Sequence, residues 1–338
     1  MPLSQFTPRV LTGVINIRPV NRRLFTSFFQ DNAPSETDVF ELETSYQGRK
    51  MLPALSYNDA GTMRDGEVRT LSAVKAPIFK PKRTFTAADK FVRSKGMTPY
   101  DHQDPLERAI AEDMDAHISD IEYMKEIMCA NALVNGKIPL WNSVNGKVGQ
   151  IGEIDYNRPA SHTVTLSGTA VWSDPSSELR EQAEQYSAMI MEATGGFGAT
   201  DVIMGTKAFS LFLKHADVRD LLDMRNIHIG ELNLHTNSLY RGNWNGLNIW
   251  TINAGYVDLA GKQQMFIPAD VALFVARDAK LEIDYGLPSD LDCTGPTKIF
   301  AKQYKENDPS AYFTLAESRP LPQVKHAGAT VSVKVTEG

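Results

Sequence analysis

Seven histidines, two cysteines and one glycine-rich loop are where reactive chemistry would have to start in this chain of 338 residues. His228 and His235 are the close histidine pair, and imidazole nitrogens can hold zinc. They stand seven residues apart with no carboxylate pair beside them, a spacing that fits no common metal site. Cys129 and Cys293 lie far apart without a C-x-x-C spacing, so neither a disulfide framework nor a zinc site is indicated, and a reducing cytoplasm is the simpler home. Gly195-Gly196-Phe197-Gly198 would cradle a phosphate only if it followed a strand and opened a helix, with Lys-Ser or Lys-Thr after it. It instead follows a helical pattern and precedes a strand, which makes it a helix C-cap and turn. His117 falls on the apolar stripe of a long helix and reads as a core or interface side chain. Neither G-x-S-x-G nor H-E-x-x-H occurs, and the acids of that helix are expected to face outward. No catalytic, cofactor or metal residue is therefore assigned, and an enzyme is not expected.

The elements that would have to position any site are clearer. Residues 104 to 136 read as one helix: Asp104 as N-cap, Pro105 at the first helical position, Glu107 completing a capping box and Gly136 closing the end. Ile110, Met114, His117, Ile121, Met124 and Met128 recur at steps of three and four, leaving an acidic opposite face. At about 1.5 Å per residue such a rod is roughly 45 Å long, far beyond the common helix of about eleven residues. It looks like a beam to which other parts attach.

Composition sets the limits. With 42% hydrophobic and 22% charged residues the chain can bury a real core, and its length points to two domains. A net charge of -6 argues against a dedicated nucleic-acid binder, which needs a positive field to displace counterions from phosphate. Neither a signal peptide nor an apolar run of membrane-spanning length is apparent, so no membrane partner is expected.

Ahead of the helix, the first thirty residues carry Arg9, Arg18, Arg22 and Arg23 and no acid. Leu24, Phe25, Phe28 and Phe29 follow at spacings of a short helix with one aromatic face, too small to hold a core alone. Alternation predicts strands over Thr37 to Tyr46 and Glu67 to Val74 within a long glycine- and proline-punctuated stretch to Thr98. Arg64 to Lys95 holds nine basic residues against three acids, while Pro105 to Asn135 holds seven acids against two bases. Basic ribbon and acidic rod are plausible partners, and a two-stranded ribbon, marginal alone in water, must lie on its own body or on a neighbouring copy.

After Gly136 come turn-rich short strands around Asn145-Gly146 and Thr163 to Leu166. A helix capped by Asp174 and started by Pro175 buries Leu179, Ala183, Tyr186 and Ile190. Then follow a buried strand Asp201 to Met204, helices Thr206 to His215 and Asp217 to Met224, and a poorly patterned loop to Ser238. Strands are predicted over Leu247 to Ile252, Gln264 to Ile267, Ala272 to Ala276 and Lys280 to Tyr285, making a mixed α/β domain of 171–290. Ile299 to Tyr304, Tyr312 to Glu317 and Thr330 to Val335 are plain strands, expected to pack with the long helix.

Tyr240, Gly242, Gly246, Ile249, Gly255, Tyr256, Gly261 and Phe266-Ile267-Pro268 resemble the corresponding run in phage lambda-like major capsid proteins, the phage capsid protein E family. Asp308-Pro309, Ala311, Phe313-Thr314, Ser318 and Pro320-Leu321 are similar to the closing segment of the same family. The resemblance implies an α+β fold of the Hong Kong 97 type. In it, 1–35 would be an N-terminal arm, 36–98 an extended β-hairpin loop, 99–170 with 291–338 a peripheral domain built on the spine helix, and 171–290 an axial domain. It implies a subunit of a tailed-phage head that self-assembles into pentamers and hexamers of an icosahedral shell around double-stranded DNA, located in the virion and assembled in the host bacterial cytoplasm. A separate scaffolding protein, a portal and a decoration protein are the further partners, with DNA held by non-specific proximity only. The alternatives are a tail-tube subunit, which would not need the spine helix, and an enzyme closing the loop 225–238 over a polar pocket.

On this reading the candidate inter-subunit contacts are of two kinds. Leu24, Phe25, Phe28 and Phe29 would anchor the arm on an adjoining subunit. Lys80, Lys82 and Arg83 of the ribbon would meet Glu112, Asp115 and Glu122 of a neighbour's spine helix, since contacts closing into rings need surfaces that do not match themselves.

Overall fold

The computed structural model describes residues 12, 23–45, 69–86, 105–144, 147–223, 230–232, 239–308 and 310–337. A 3-10 turn at Thr26–Phe28 leads into β1 (Gln30–Pro34), β2 (Val39–Ser45), β3 (Arg69–Lys75) and β4 (Lys82–Thr86). The long helix is α1 (Pro105–Asn135), followed by the hairpin β5 (Lys137–Val144) and β6 (Lys147–Asp155) and the short β7 (Thr163–Thr165). Next come α2 (Leu179–Thr194), β8 (Asp201–Met204), α3 (Thr206–Lys214), α4 (Ala216–Asp223), β9 (Gly230–Leu232), β10 (Tyr240–Trp244) and β11 (Leu247–Thr251). The chain closes with β12 (Gly255–Val257), β13 (Gln263–Met265), β14 (Val271–Val275), β15 (Leu281–Tyr285), β16 (Phe300–Asn307), β17 (Ser310–Glu317), β18 (Pro320–Val324) and β19 (Thr330–Lys334). Among the described residues no helix is long and apolar enough to cross a membrane. His228, His235, Asp104 and the loop centres 46–68 and 87–104 lie outside the described residues.

Two compact units emerge. Unit one comprises Met1–Phe40, Ala73–Met128 and Ile283–Pro322. Its main sheet has the order β16-β17-β4, all antiparallel, with Phe300 opposite Glu317 and Tyr312 opposite Phe85. Helix α1 lays its stripe on this sheet: Met114 and Ile121 pack with Ile299, Ala301 and Ala316, and Ile110 packs with Phe85. A second sheet, β1-β15-β18, completes the unit.

Unit two comprises Glu41–Ser72, Cys129–Glu282 and Gln323–Gly338. Its seven-stranded sheet runs β7-β19-β14-β8-β11-β10-β9, with the all-buried β8 parallel to β11 and antiparallel to β14. Helices cover it through aromatic contacts: Tyr186 of α2 lies 5.1 Å from Phe274, and Phe212 of α3 meets Trp244 edge-on at 5.2 Å.

One element finds its sheet partners and two expectations change. The segment Thr330 to Val335 forms the expected strand. As β19 it pairs along its whole length with β14 and also with β7, because Val331 and Val333 are fully buried there. Helix α2 starts at Leu179, not Pro175, because the Asp174 carboxylate accepts hydrogen bonds from the Ser176 N–H and hydroxyl and holds a tight turn first. And the acids of α1 do not all face water: Asp113 is 4% exposed and Glu126 2%.

Candidate functional site

The buried acids of unit one are where its chemistry concentrates. Asp113 sits one turn before His117 on α1, so both side chains point at the sheet. Its carboxylate accepts from Arg83 Nη1 at 3.1 Å, from the Thr314 hydroxyl and, 3.1 Å away, faces His117 Nε2. Arg83 comes from β4 and Thr314 from β17, so one carboxylate ties the helix to two strands.

Glu317, the last residue of β17, is fully buried. Lys80 Nζ lies 2.9 Å from it, and the Ser289 N–H and hydroxyl both donate to it. Burial pushes the Glu317 carboxyl up, but the Ser289 N–H, the Lys80 ammonium and the Ser289 hydroxyl outweigh it and leave the group below its ordinary value. Beside it, Asp290 lies 2.7 Å from Lys302 and 3.7 Å from Lys80. Burial raises Asp290 too, and the Lys302 ammonium reverses the sign. Asp38 takes Lys75 at 3.0 Å and Arg319 at 2.9 Å, and those two hydrogen bonds hold its carboxyl low.

Each site residue expected from the sequence has a definite place. Leu24, Phe25, Phe28 and Phe29 are all buried within their own chain. The turn they form is capped by Glu126, whose carboxylate accepts the N–H groups of Phe25 and Thr26, both at 2.8 Å. Within the chain these rings fill the core of their own unit, where the carboxylate on α1 fixes the turn. Glu122 pairs with Lys125 at 2.6 Å, and Lys125 donates to the Tyr285 hydroxyl, so Glu122 also serves its own chain. Lys80 reaches Glu317 and Arg83 reaches Asp113 of their own chain. Lys82 is exposed, its ammonium 4.2 Å from the centre of the Phe313 ring. Glu112 and Asp115 are exposed on α1.

Glu317, Ser289, Asp290, Lys302 and Arg319 were not singled out by sequence. One sign was present: Glu317 ends an apolar strand on a register that points inward, where a carboxylate needs a partner. No cluster of three or more metal-ligating side chains exists among the described residues. The Arg83–Asp113 ion pair locks a strand to the helix.

Comparison with known proteins identifies the family. The family model described as phage major capsid protein E matches residues 7–335. A protein provisionally named a prophage capsid protein of E. coli CFT073, known from its crystal structure, superposes with a TM-score of 0.71 at 19% identity, covering 98% of this chain and 99% of that one. The mature capsid of bacteriophage PhiM1 gives 0.53 at 9%, covering 94% and 88%. A phage-related protein of Bordetella bronchiseptica RB50 gives 0.51 at 13%, covering 97% and 96%. No curated protein matches in sequence.

Proposed function

We infer that, because this chain belongs to the phage major capsid protein E family, its buried ion pairs stiffen a subunit that works by assembling with copies of itself. It is a phage major capsid protein with a fold of the Hong Kong 97 type. The observation that carries the functional reading is the family match over residues 7–335, nearly the whole chain.

The finer reading is a shell of hexamers and pentamers. Unit one would serve as the peripheral part and unit two as the axial part at the capsomer centre. Lys82 faces outward on the ribbon while Glu112 and Asp115 line the exposed side of α1, and opposite charges on different surfaces favour head-to-tail rings over self-matching dimers. Weak contacts of this kind, repeated around a ring, sum to a stable container. A net charge of -6 would limit adhesion to packaged DNA, whose company is one of proximity. Assembly in the bacterial cytoplasm with a separate scaffold, a portal and a decoration protein completes the proposal.

Electron microscopy of the protein expressed in bacteria tests this directly. Closed isometric shells are expected. Tubes would favour a tail-tube role, and discrete small particles would sink the shell reading.

A further inference from the structure

One apolar side chain in unit one stands wholly outside the core. Leu291 is fully exposed, at 102% of its reference area. An exposed leucine on a slack loop would carry no meaning. This one sits on a turn pinned on every side. The Asp290 carboxylate accepts the Asp292 N–H at 3.1 Å, and the Cys293 N–H donates to the Asp290 carbonyl at 3.0 Å. Both flanking carboxylates grip one ammonium: Lys302 Nζ is 2.7 Å from Asp290 and 3.0 Å from Asp292. The Ser289 N–H, one step earlier, is held by buried Glu317. The turn is therefore rigid before any partner arrives, which lowers the ordering entropy of docking.

Its chemistry specifies a receiver: an apolar surface with a basic rim, to suit a leucine flanked by Asp292, whose side chain is 58% exposed. Unit two carries such a surface. Met191 and Phe197 are 48% and 37% exposed at the end of α2. Phe197 lies 6.0 Å from the His326 ring. The exposed Lys280 is joined to the same strip by the hydrogen bond from the Lys325 N–H to its carbonyl. Identical copies are the neighbours that the shell reading supplies, and each copy carries both the acidic-flanked leucine and the apolar surface with its lysine.

We propose that the Leu291 turn of one subunit docks against the Met191–Phe197 surface of a second copy of this chain, with Asp292 facing the Lys280 rim. The proposal rests on the shell reading and adds a contact to it. The contact is small, and its effect comes from being repeated at every subunit.

The test uses the full chain expressed in bacteria, with shells counted by electron microscopy and the folded state of dissociated subunits followed by thermal unfolding. Leu291→Asp and Met191→Glu, both at exposed positions, should leave subunit unfolding unchanged. Each should lower shell yield by about tenfold or more, and Leu291→Met should keep wild-type yield. Wild-type yield from Leu291→Asp overturns the pairing, and so does wild-type yield from Met191→Glu. Absence of shells from the unaltered chain would instead remove the shell reading itself, so the two failures are distinguishable.

Discussion

Phe25 and Lys80 show how single side chains here stabilise the subunit before they can serve any assembly. Phe25 has no exposed surface, and its backbone N–H is held by Glu126. Phe25→Ala should destabilise the isolated subunit by about 3–5 kcal/mol, the usual result of emptying a core aromatic site. Urea denaturation of dissociated subunits measures it, and an unchanged midpoint would return the ring to an inter-subunit role. Lys80→Ala strips the ammonium from a buried carboxylate and leaves the Ser289 donors and the Arg319 guanidinium 4.0 Å away, a loss of about 1–3 kcal/mol near neutral pH. The sign with pH follows from the depressed carboxyl of Glu317. A group held below its unfolded value contributes stability above that value and loses it as acid protonates it in the fold. The gap between Lys80→Ala and wild type should therefore be full above about pH 5 and close as pH falls below the ordinary glutamate value of about 4.3. A gap that persists at low pH would mean that packing of the lysine stem, not charge, is what matters.

Among the elements, the end of α1 depends on one glycine. Gly136 has φ +69°, and a Cβ there would sit 3.0 Å from the Arg158 Cβ. Arg158 donates to the carbonyls of Leu133 and Val134, so a guanidinium closes the negative end of the helix. Gly136→Ala should cost about 1–3 kcal/mol through strain and displacement of Arg158, read by thermal unfolding. A change below about 0.5 kcal/mol, the size of an ordinary surface substitution, would refute that account. Gly136 and the stripe through Met128 were legible because caps and periodicity are local. So were α3, α4, β8 and β14. The start of α2 was not, because the Asp174 turn competes with the helix cap for the same carboxylate. Strand β4 was missed because its residues Lys82, Arg83 and Thr84 are polar and exposed, and what makes them a strand is the distant edge of β17. β19 was legible as a strand but its neighbours β14 and β7 were not, since a buried strand does not announce its partners. The ion-pair sites were illegible for the same reason: Lys80 and Glu317 lie over two hundred positions apart, and only the sheet brings them together.

At the scale of the whole molecule, some charges are buried with their partners and others lie at the surface. Asp113, Glu126 and Glu317 lie inside, each with its partner from the same chain. Lys82 and the acids Glu112 and Asp115 remain at the surface. Lys82 makes the clean test, because it is exposed and its ammonium rests on the Phe313 ring. Lys82→Glu should change subunit stability by no more than about 0.5–1 kcal/mol, the worth of an exposed cation–π contact. Placed opposite a neighbour's acids, however, the new carboxylate would repel at every repeat of the contact. Shell yield at low salt should fall well below wild type, and because exposed charges are screened within about 10 Å at 0.1 M salt, the deficit should shrink as salt is raised. Sedimentation of assembled against free protein over a salt series reads both effects. Equal assembly of Lys82→Glu and wild type at every salt concentration would show that the ribbon's basic face turns to solvent in the shell, and that neighbours are joined by other surfaces.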